Sequence, residues 1–577
     1  MNRSFSGPTP FGLTRRDFLE RAVAAGAGAA SLPLPASAQN KPSAPGQAFL
    51  NLLRAPDRVA AYSGLEDSFA LKGAAQRWTG RGVEVEISLF SDELPVRVSA
   101  PKDSLTHVHL RWNGTVLTSL LCLGDAWERS YGDLAWRGLV PERPMPWYFI
   151  TWDGASADAY GVKTSARALC FWQLDPEGVS LWLDLSNGGS GVLLGERTLP
   201  AATVVARQGQ PGEEPVEAVR QFCKRMCANP RPSPGPVYGS NDWYYAYGNS
   251  SQEAILRDAD LVASLRPAKA PQPFTVIDEG WANTAKFPDI ARLAADIRHR
   301  GARPGIWERP LRAPASTSPG LLLPASRFGE RSSRASELAF DPTIPDALQI
   351  IRDKIRRIRS WGFELLKHDF TTYDLLGQWG FEMGARPTLP GWSFHDRSKT
   401  NAEIILDLYQ AIRAAAGEEM LILSCNVVGH LGAGVFDIQR TGDDTSGKMW
   451  ERTRRMGVNT LAFRMPQHGA FFTLDSDCVA ITTAVPWELT RQWLDVVARS
   501  GTALFVSAAA EATGEEQKKA VAEAFAIATT TGTANAPVNW FQETTPETWV
   551  ESGVEGASKS EKRYRWCEPG GAYPFSV

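Results

Sequence analysis

From residue 237 onward the chain repeats one pattern: a short apolar run, a polar turn, then a stretch with apolar residues at helical spacing. Candidate strands lie at 237–242, 273–279, 303–308, 363–369, 421–426, 435–441, 459–465 and 502–507. Helical segments between them include 251–265, 288–300, 344–360, 401–416, 446–456 and 486–499. The stretch IPDALQIIRDKIRRIRS at 344–360 puts its apolar residues on one face and Arg and Lys on the other. Eight such units predict an α/β fold, a (β/α)8 TIM barrel over residues 236–512. Residues 513–577 are then the last barrel helix and a short C-terminal β-rich tail, a hairpin or two packed on the barrel.

The first half has a different period. GVEVEISLF, LPVRVSA, THVHLRW, RALCFWQL and VSLWLDL are short, β-rich and separated by Gly, Pro, Asp or Asn. They predict an antiparallel β-sandwich over 45–230, ahead of the barrel. His107 and His109 share one face of a strand there and read as core or solvated imidazoles rather than ligands. A helix at 214–228 and the Pro-rich NPRPSPGP close this region.

Residues 1–38 stand apart from both. Arg15-Arg16, then Phe18-Leu19, an Ala/Gly-rich apolar stretch and Ala36-Ser37-Ala38 match a twin-arginine signal peptide with its cleavage site. The stretch is too short and weakly apolar to span a membrane. The expected location is periplasmic or secreted. The formal net charge of −3 points to no nucleic acid and no anionic membrane surface as partner.

This export route also carries folded redox enzymes, so a cofactor oxidoreductase is a rival class. Neither a GxGxxG between strand and helix nor a CxxCH motif appears, and the seven cysteines are scattered. Cys223 and Cys227 lie one helical turn apart, where a bridge would constrain little. The cysteines read as mostly buried and free, and no metal or cofactor is expected.

In a barrel of this kind the chemistry lies at the C-terminal ends of the strands. The second candidate strand ends in Asp278, Glu279 and Trp281, the fourth in Lys367 and Asp369, and the fifth in Asn426. The sixth leads into Arg440, Asp443 and Asp444. Carboxylates at several strand ends have no packing use and are costly to bury unpaired. Glycoside hydrolysis needs two, one ionised to attack the anomeric carbon and one protonated to release the leaving group. Lys367 lies two residues before Asp369 and so shares its face of the strand, where an ammonium lowers a carboxylate pKa. Twenty tryptophans fit a carbohydrate protein, whose rings stack on sugar C–H faces, although most of them fill the core.

At these positions the sequence resembles the melibiase-type α-galactosidases, clan D retaining glycoside hydrolases built on a (β/α)8 barrel. The resemblance covers about 237–510 and rests on seven motifs in the family's order. These are GSNDWYYAYG, VIDEGW with KFPDIARLAADIRHRGARPGIW, FDPT, LLKHDF, SCN, RTGDDT and LDSDC. It implies that Asp369 is the nucleophile. It places the acid/base four residues after Arg440, at Asp444, with Asp443 as competitor. Asp278, Glu279, Lys367, Asn426 and Arg440 match sugar-binding positions, and Trp243 and Trp281 a hydrophobic wall.

The implied activity is retaining exo-hydrolysis of terminal α-galactose from an oligosaccharide or polysaccharide. Three departures bear on the sugar, one being that little of the family's C-terminal β-domain is expected in the tail. Asp278-Glu279 stands where the family has two aspartates, and Glu308-Arg309 replaces small or aliphatic residues. They leave β-L-arabinopyranosidase and α-N-acetylgalactosaminidase open as alternatives. A non-catalytic carbohydrate-binding member is the alternative of another class.

Overall fold

Period-two alternation builds the N-terminal half. In Val83–Ile87 the residues Val83, Val85 and Ile87 are buried while Glu84 and Glu86 turn outward. Such strands form a six-stranded and an eight-stranded sheet, both antiparallel. The long strand Gly195–Arg207 pairs with Glu93–Ala100 and Ala157–Val162 in the larger sheet. The structure, a computed structural model, describes residues 50–331, 337–530, 534–552 and 560–575. The leader expected at 1–38 lies outside them.

Helix α1, Pro215–Met226, follows the sandwich. Then come the barrel strands β1 (Tyr238–Asn241), β2 (Phe274–Ile277), β3 (Arg303–Glu308), β4 (Leu365–His368), β5 (Leu421–Ser424) and β6 (Ile438–Arg440). They are followed by β7 (Thr473–Asp475), β8 (Val479–Ile481) and β9 (Leu504–Ala508). All pair in parallel. The sheet closes through β9, which pairs with β1 and β8, while Ala503 just before it bridges Asp475. Nine strands therefore fill eight barrel positions. The seventh is split, because Asp477 takes a left-handed turn (φ 75°) between β7 and β8.

One expected strand is corrected. Residues 459–465 continue a helical run from Trp450 to Arg464, with a π-helical stretch at Arg454–Asn459. Residues 456–467 are buried on every side, so this helix carries no amphipathic period that would tell it from a short buried strand. The expected helix at 446–456 is the start of this same run, and the seventh strand lies further on.

The C-terminal extension is a helix, Glu515–Ala528, and a three-stranded antiparallel sheet. Trp540, Trp549 and Trp566 anchor it in the core, and Trp450 Nε1 donates to Trp566 O at 2.6 Å. All seven cysteines are free, and Cys567 alone among them is exposed. His107 is buried near Asp184, and His109 stacks on Trp182 at 4.2 Å, so both imidazoles belong to the packing of one sheet face. No helix among the described residues is long and apolar enough to cross a membrane.

The sandwich is fastened to the barrel by polar contacts that fix the path of its connecting loops. Asn187 Nδ2 donates to the carbonyls of Asp396 (2.8 Å) and Lys399 (2.7 Å). Arg464 pairs with Asp125 at 2.8 Å, and Trp147 stacks on His430 at 4.7 Å. Asp125 begins the loop that carries sandwich residues over the barrel mouth.

Candidate active site

Strand parity assembles the site. Alternate residues of each barrel strand point inward, so every inward column runs from apolar at the base to polar at the C-terminal end. The columns are Phe274–Val276–Asp278, Leu365–Lys367–Asp369, Leu421–Leu423–Cys425 and Ile438–Arg440. Their apolar members belong to one buried cluster, and Asp278, Lys367, Asp369 and Arg440 are buried above it.

Asp369 is fixed on both oxygens. Oδ1 accepts from the backbone N–H of Phe370 (2.7 Å) and Asn426 (3.2 Å), and Oδ2 accepts from Trp307 Nε1 (3.1 Å). Phe370 reaches this geometry in a left-handed conformation (φ 61°), uncommon for a bulky residue. Arg309 holds its ring from 4.5 Å while bonding Asp374, at 2.9 Å through Nε. Burial pushes the Asp369 carboxyl up, but Arg129, Lys367 and the Trp307 donor outweigh it and hold it below the ordinary aspartate range.

Lys367 pairs directly with Asp278 at 2.6 Å. Asp278 also accepts from Asn241 Nδ2 at 2.7 Å. The lysine thus acts on Asp369 through its field while its own hydrogen bond goes to β2.

Arg440 is a buried hub. Nη1 faces Asp444 Oδ1 at 3.3 Å, Nε faces Asp475 at 3.2 Å and Nη2 faces Asp477 at 2.8 Å. Asp477 accepts further from the Tyr244 hydroxyl and from Thr445 N at 2.8 Å. Asp444 keeps 41% of its side chain exposed. Burial of its surroundings pushes its carboxyl up to about 6, opposed by Arg129 and Arg440 and reinforced by Asp443 and Asp477.

Other expected residues are placed differently with respect to the opening. Asn426 has both ends of its amide engaged: Oδ1 accepts from Tyr373 N at 3.1 Å and Nδ2 donates to Glu128. Trp281 donates its indole N–H to Trp307 O at 2.8 Å and sets its ring edge against Trp361. Trp243 is half-buried beside Tyr247. Glu279 is half-exposed and pairs with Arg312 at 3.2 Å. Glu308 points outward from β3 to Lys354 (3.3 Å), and Arg309 bonds Asp374 and Glu337, so the unusual pair after β3 braces loops.

Sequence reasoning missed Glu128 and Arg129, which come from the sandwich. Glu128 meets Asn426 across 298 residues of sequence. Arg129 faces Asp443 at 2.8 Å, Asp444 at 3.7 Å and Cys425 Sγ at 3.4 Å. The available signal was a charged stretch, DAWERSYGD, between β-rich segments. Trp307, whose indole donates to Asp369, was visible only as the end of a motif.

No family model matches the chain, and no curated protein does. Solved structures do. TtGalA, an alpha-galactosidase from Thermus thermophilus in complex with p-nitrophenyl alpha-D-galactopyranoside, is 17% identical, with a TM-score of 0.57 over 86% of this chain and 98% of that one. A variant of the GH36 alpha-galactosidase AgaA from Geobacillus stearothermophilus, in complex with 1-deoxygalactonojirimycin, is 13% identical, with a TM-score of 0.57 over 83% and 73%. The galactosidase domain of the alpha-galactosidase-sucrose kinase AgaSK is 14% identical, with a TM-score of 0.54 over 85% and 76%. At these identities the likeness establishes the fold, a sandwich followed by a (β/α)8 barrel.

Proposed function

We propose that the chain is a retaining exo-glycoside hydrolase acting on terminal α-linked galactose of an oligosaccharide or polysaccharide. One observation carries the reading: two carboxyls at the C-terminal mouth of the barrel sit in environments that push their protonation in opposite directions. Asp369 is kept ionised by the cations and N–H donors around it, and Asp444 is kept protonatable. Opposed environments of this kind assign acid and nucleophile roles.

In the first step Asp369 attacks the anomeric carbon as Asp444 gives its proton to the departing glycosidic oxygen, forming a glycosyl ester. In the second, Asp444 takes a proton from water, which attacks the same carbon and frees Asp369, so configuration is retained. Similarity to alpha-galactosidases, one of them in complex with an aryl α-galactoside, supports galactose as the first sugar to test. In this reading Asp278, Glu279 and Trp243 hold the sugar, while Arg440 and Lys367 position carboxylates.

The Glu279–Arg312 pair favours a second sugar. A hydroxymethyl group arriving at this end must share or displace an ion pair, whereas L-arabinopyranose, with galactose's ring pattern and no C6, need not. Hydrolysis of 4-nitrophenyl α-D-galactopyranoside, β-L-arabinopyranoside and α-N-acetylgalactosaminide side by side tests the reading, and no turnover of any of them rejects it. The Arg15-Arg16 leader places the enzyme outside the cytoplasm in this reading, and an exported N-terminus near Gln39 would support that.

A further inference from the structure

Arg129 is 5% exposed, yet it is not a residue of the barrel. It rides on the sandwich loop that begins at Asp125, between Tyr131 and Trp379, whose rings lie 5.8 and 5.7 Å from its guanidinium carbon. Its Nε–H has no partner among the described residues. Burying an arginine with a donor unsatisfied is unfavourable for packing alone. Its two remaining nitrogens face the Asp443-Asp444 pair and the thiol of Cys425. Beside it, Glu128 accepts from Gly380 N (2.9 Å) and from Asn426, whose backbone N–H bonds Asp369.

We propose that Arg129 is a positioning residue of the hydrolytic reaction, supplied by the sandwich, which holds Asp443, at 2.8 Å, away from the opening, lies 3.7 Å from Asp444 and carries its charge into the mouth where Asp369 also ends. The inference rests on the hydrolase reading above. Asp444 is faced by Arg129 from the sandwich, by Arg440 from β6, by Asp477 from the split seventh position, by Tyr244 after β1, and by Asp443. Asp369 feels the charges of Arg129 and of Lys367, with His368 beside it in sequence and Cys425, just after β5, as the other titratable groups within electrostatic reach. In both sets Arg129 is the cation whose charge bears most on the carboxyl. Removing it should therefore raise the pKa of each carboxyl, whereas loss of Lys367 or Arg440 should act on one side of the site.

The test is the pH profile of kcat/KM for Arg129→Gln and Arg129→Lys on an aryl glycoside that the wild type hydrolyses. In Arg129→Gln both limbs should move upward together by about one pH unit, because a neighbouring cation lowers a carboxylate pKa by that order. Arg129→Lys keeps the charge but not the two-pronged contact, and should keep the limbs while lowering kcat. A simple structural prop would lower activity or melting temperature with unmoved limbs, and that result overturns the inference. Asp443→Asn is the second variant should Arg129→Gln misfold. It frees Arg129 for Asp444 and removes a negative neighbour, so the basic limb should move down, and an unmoved limb again overturns the inference.

A readout without turnover separates this failure from failure of the hydrolase reading. In protein labelled at aspartate carboxyl carbons, the NMR titration of Asp444, assigned by its loss in Asp444→Asn, should midpoint higher in Arg129→Gln than in wild type. Equal midpoints would overturn the inference whether or not the protein hydrolyses a glycoside.

Discussion

Asp443 and Asp444 are consecutive, yet they face different surroundings: Asp443 is held by Arg129 at 2.8 Å and Arg452 at 2.6 Å, while Asp444 lies over Arg440 with 41% of its side chain exposed. Both oxygens of Asp443 are tied down at hydrogen-bond distance, one by each guanidinium, so of the two side chains Asp444 is the one left with an open face toward a leaving group. Asp444→Ala should therefore lose about 10²–10⁴-fold in kcat on glycosides with poor leaving groups and much less on dinitrophenyl glycosides, which need no protonation. Asp443→Ala should show no such dependence. Equal losses for Asp444→Ala on both substrate classes would remove it from the acid role.

Asp369→Ala should abolish turnover, and azide should not restore the retained product. A 2-fluoro glycoside with an activated leaving group should add one glycosyl mass to the peptide that contains Asp369. In a sugar complex the Asp369 and Asp444 carboxyls should lie about 5–5.5 Å apart, since about 6.5–9.5 Å would mean inversion.

The pH dependence follows from the opposed environments. The proposed reaction needs Asp369 ionised and Asp444 protonated. As pH rises through about 6, Asp444 loses its proton and kcat/KM should fall. As pH falls through a value below the ordinary aspartate range, Asp369 gains one and the rate should fall again. The optimum is thus acidic, between these two points, and a basic limb well above neutrality in the wild type would contradict the assignment of Asp444.

Glu279 bears on the sugar. Glu279→Asp shortens the side chain by one methylene and draws it back from Arg312. The galactoside-to-arabinoside ratio of kcat/KM should rise by about tenfold or more, the usual worth of a methylene misfit. A ratio that stays put would show that Glu279 does not set the preference.

Lys367 and Asp278 are a buried pair, at 2.6 Å. Lys367→Met leaves Asp278 without its cation and should cost about 3–5 kcal/mol in a denaturant melt. The double variant with Asp278→Asn should recover much of that loss, as expected for a coupled pair.

Much of this protein was legible along the chain. Seven of the eight expected barrel strands, 237–242 through 435–441 and 502–507, overlap observed strands, because a buried parallel strand leaves a short apolar run whatever lies around it. The Lys367–Asp369 spacing put both on one face because strand parity is a property of the backbone alone. At 459–465 the same apolar signal served a helix, since a helix buried all round and a buried strand look alike over six residues.

What the sequence could not specify is which distant groups share a volume. The approach of Arg129 and Glu128 to the barrel mouth, the outward turn of Glu308 and the divergence of Asp443 from Asp444 all depend on how loops of separate elements pack. Electrostatic coupling falls with distance in space, not along the chain. The motifs therefore named the carboxylates, and only the docking of the sandwich on the barrel decided that Arg129 stands against Asp443 and Asp444.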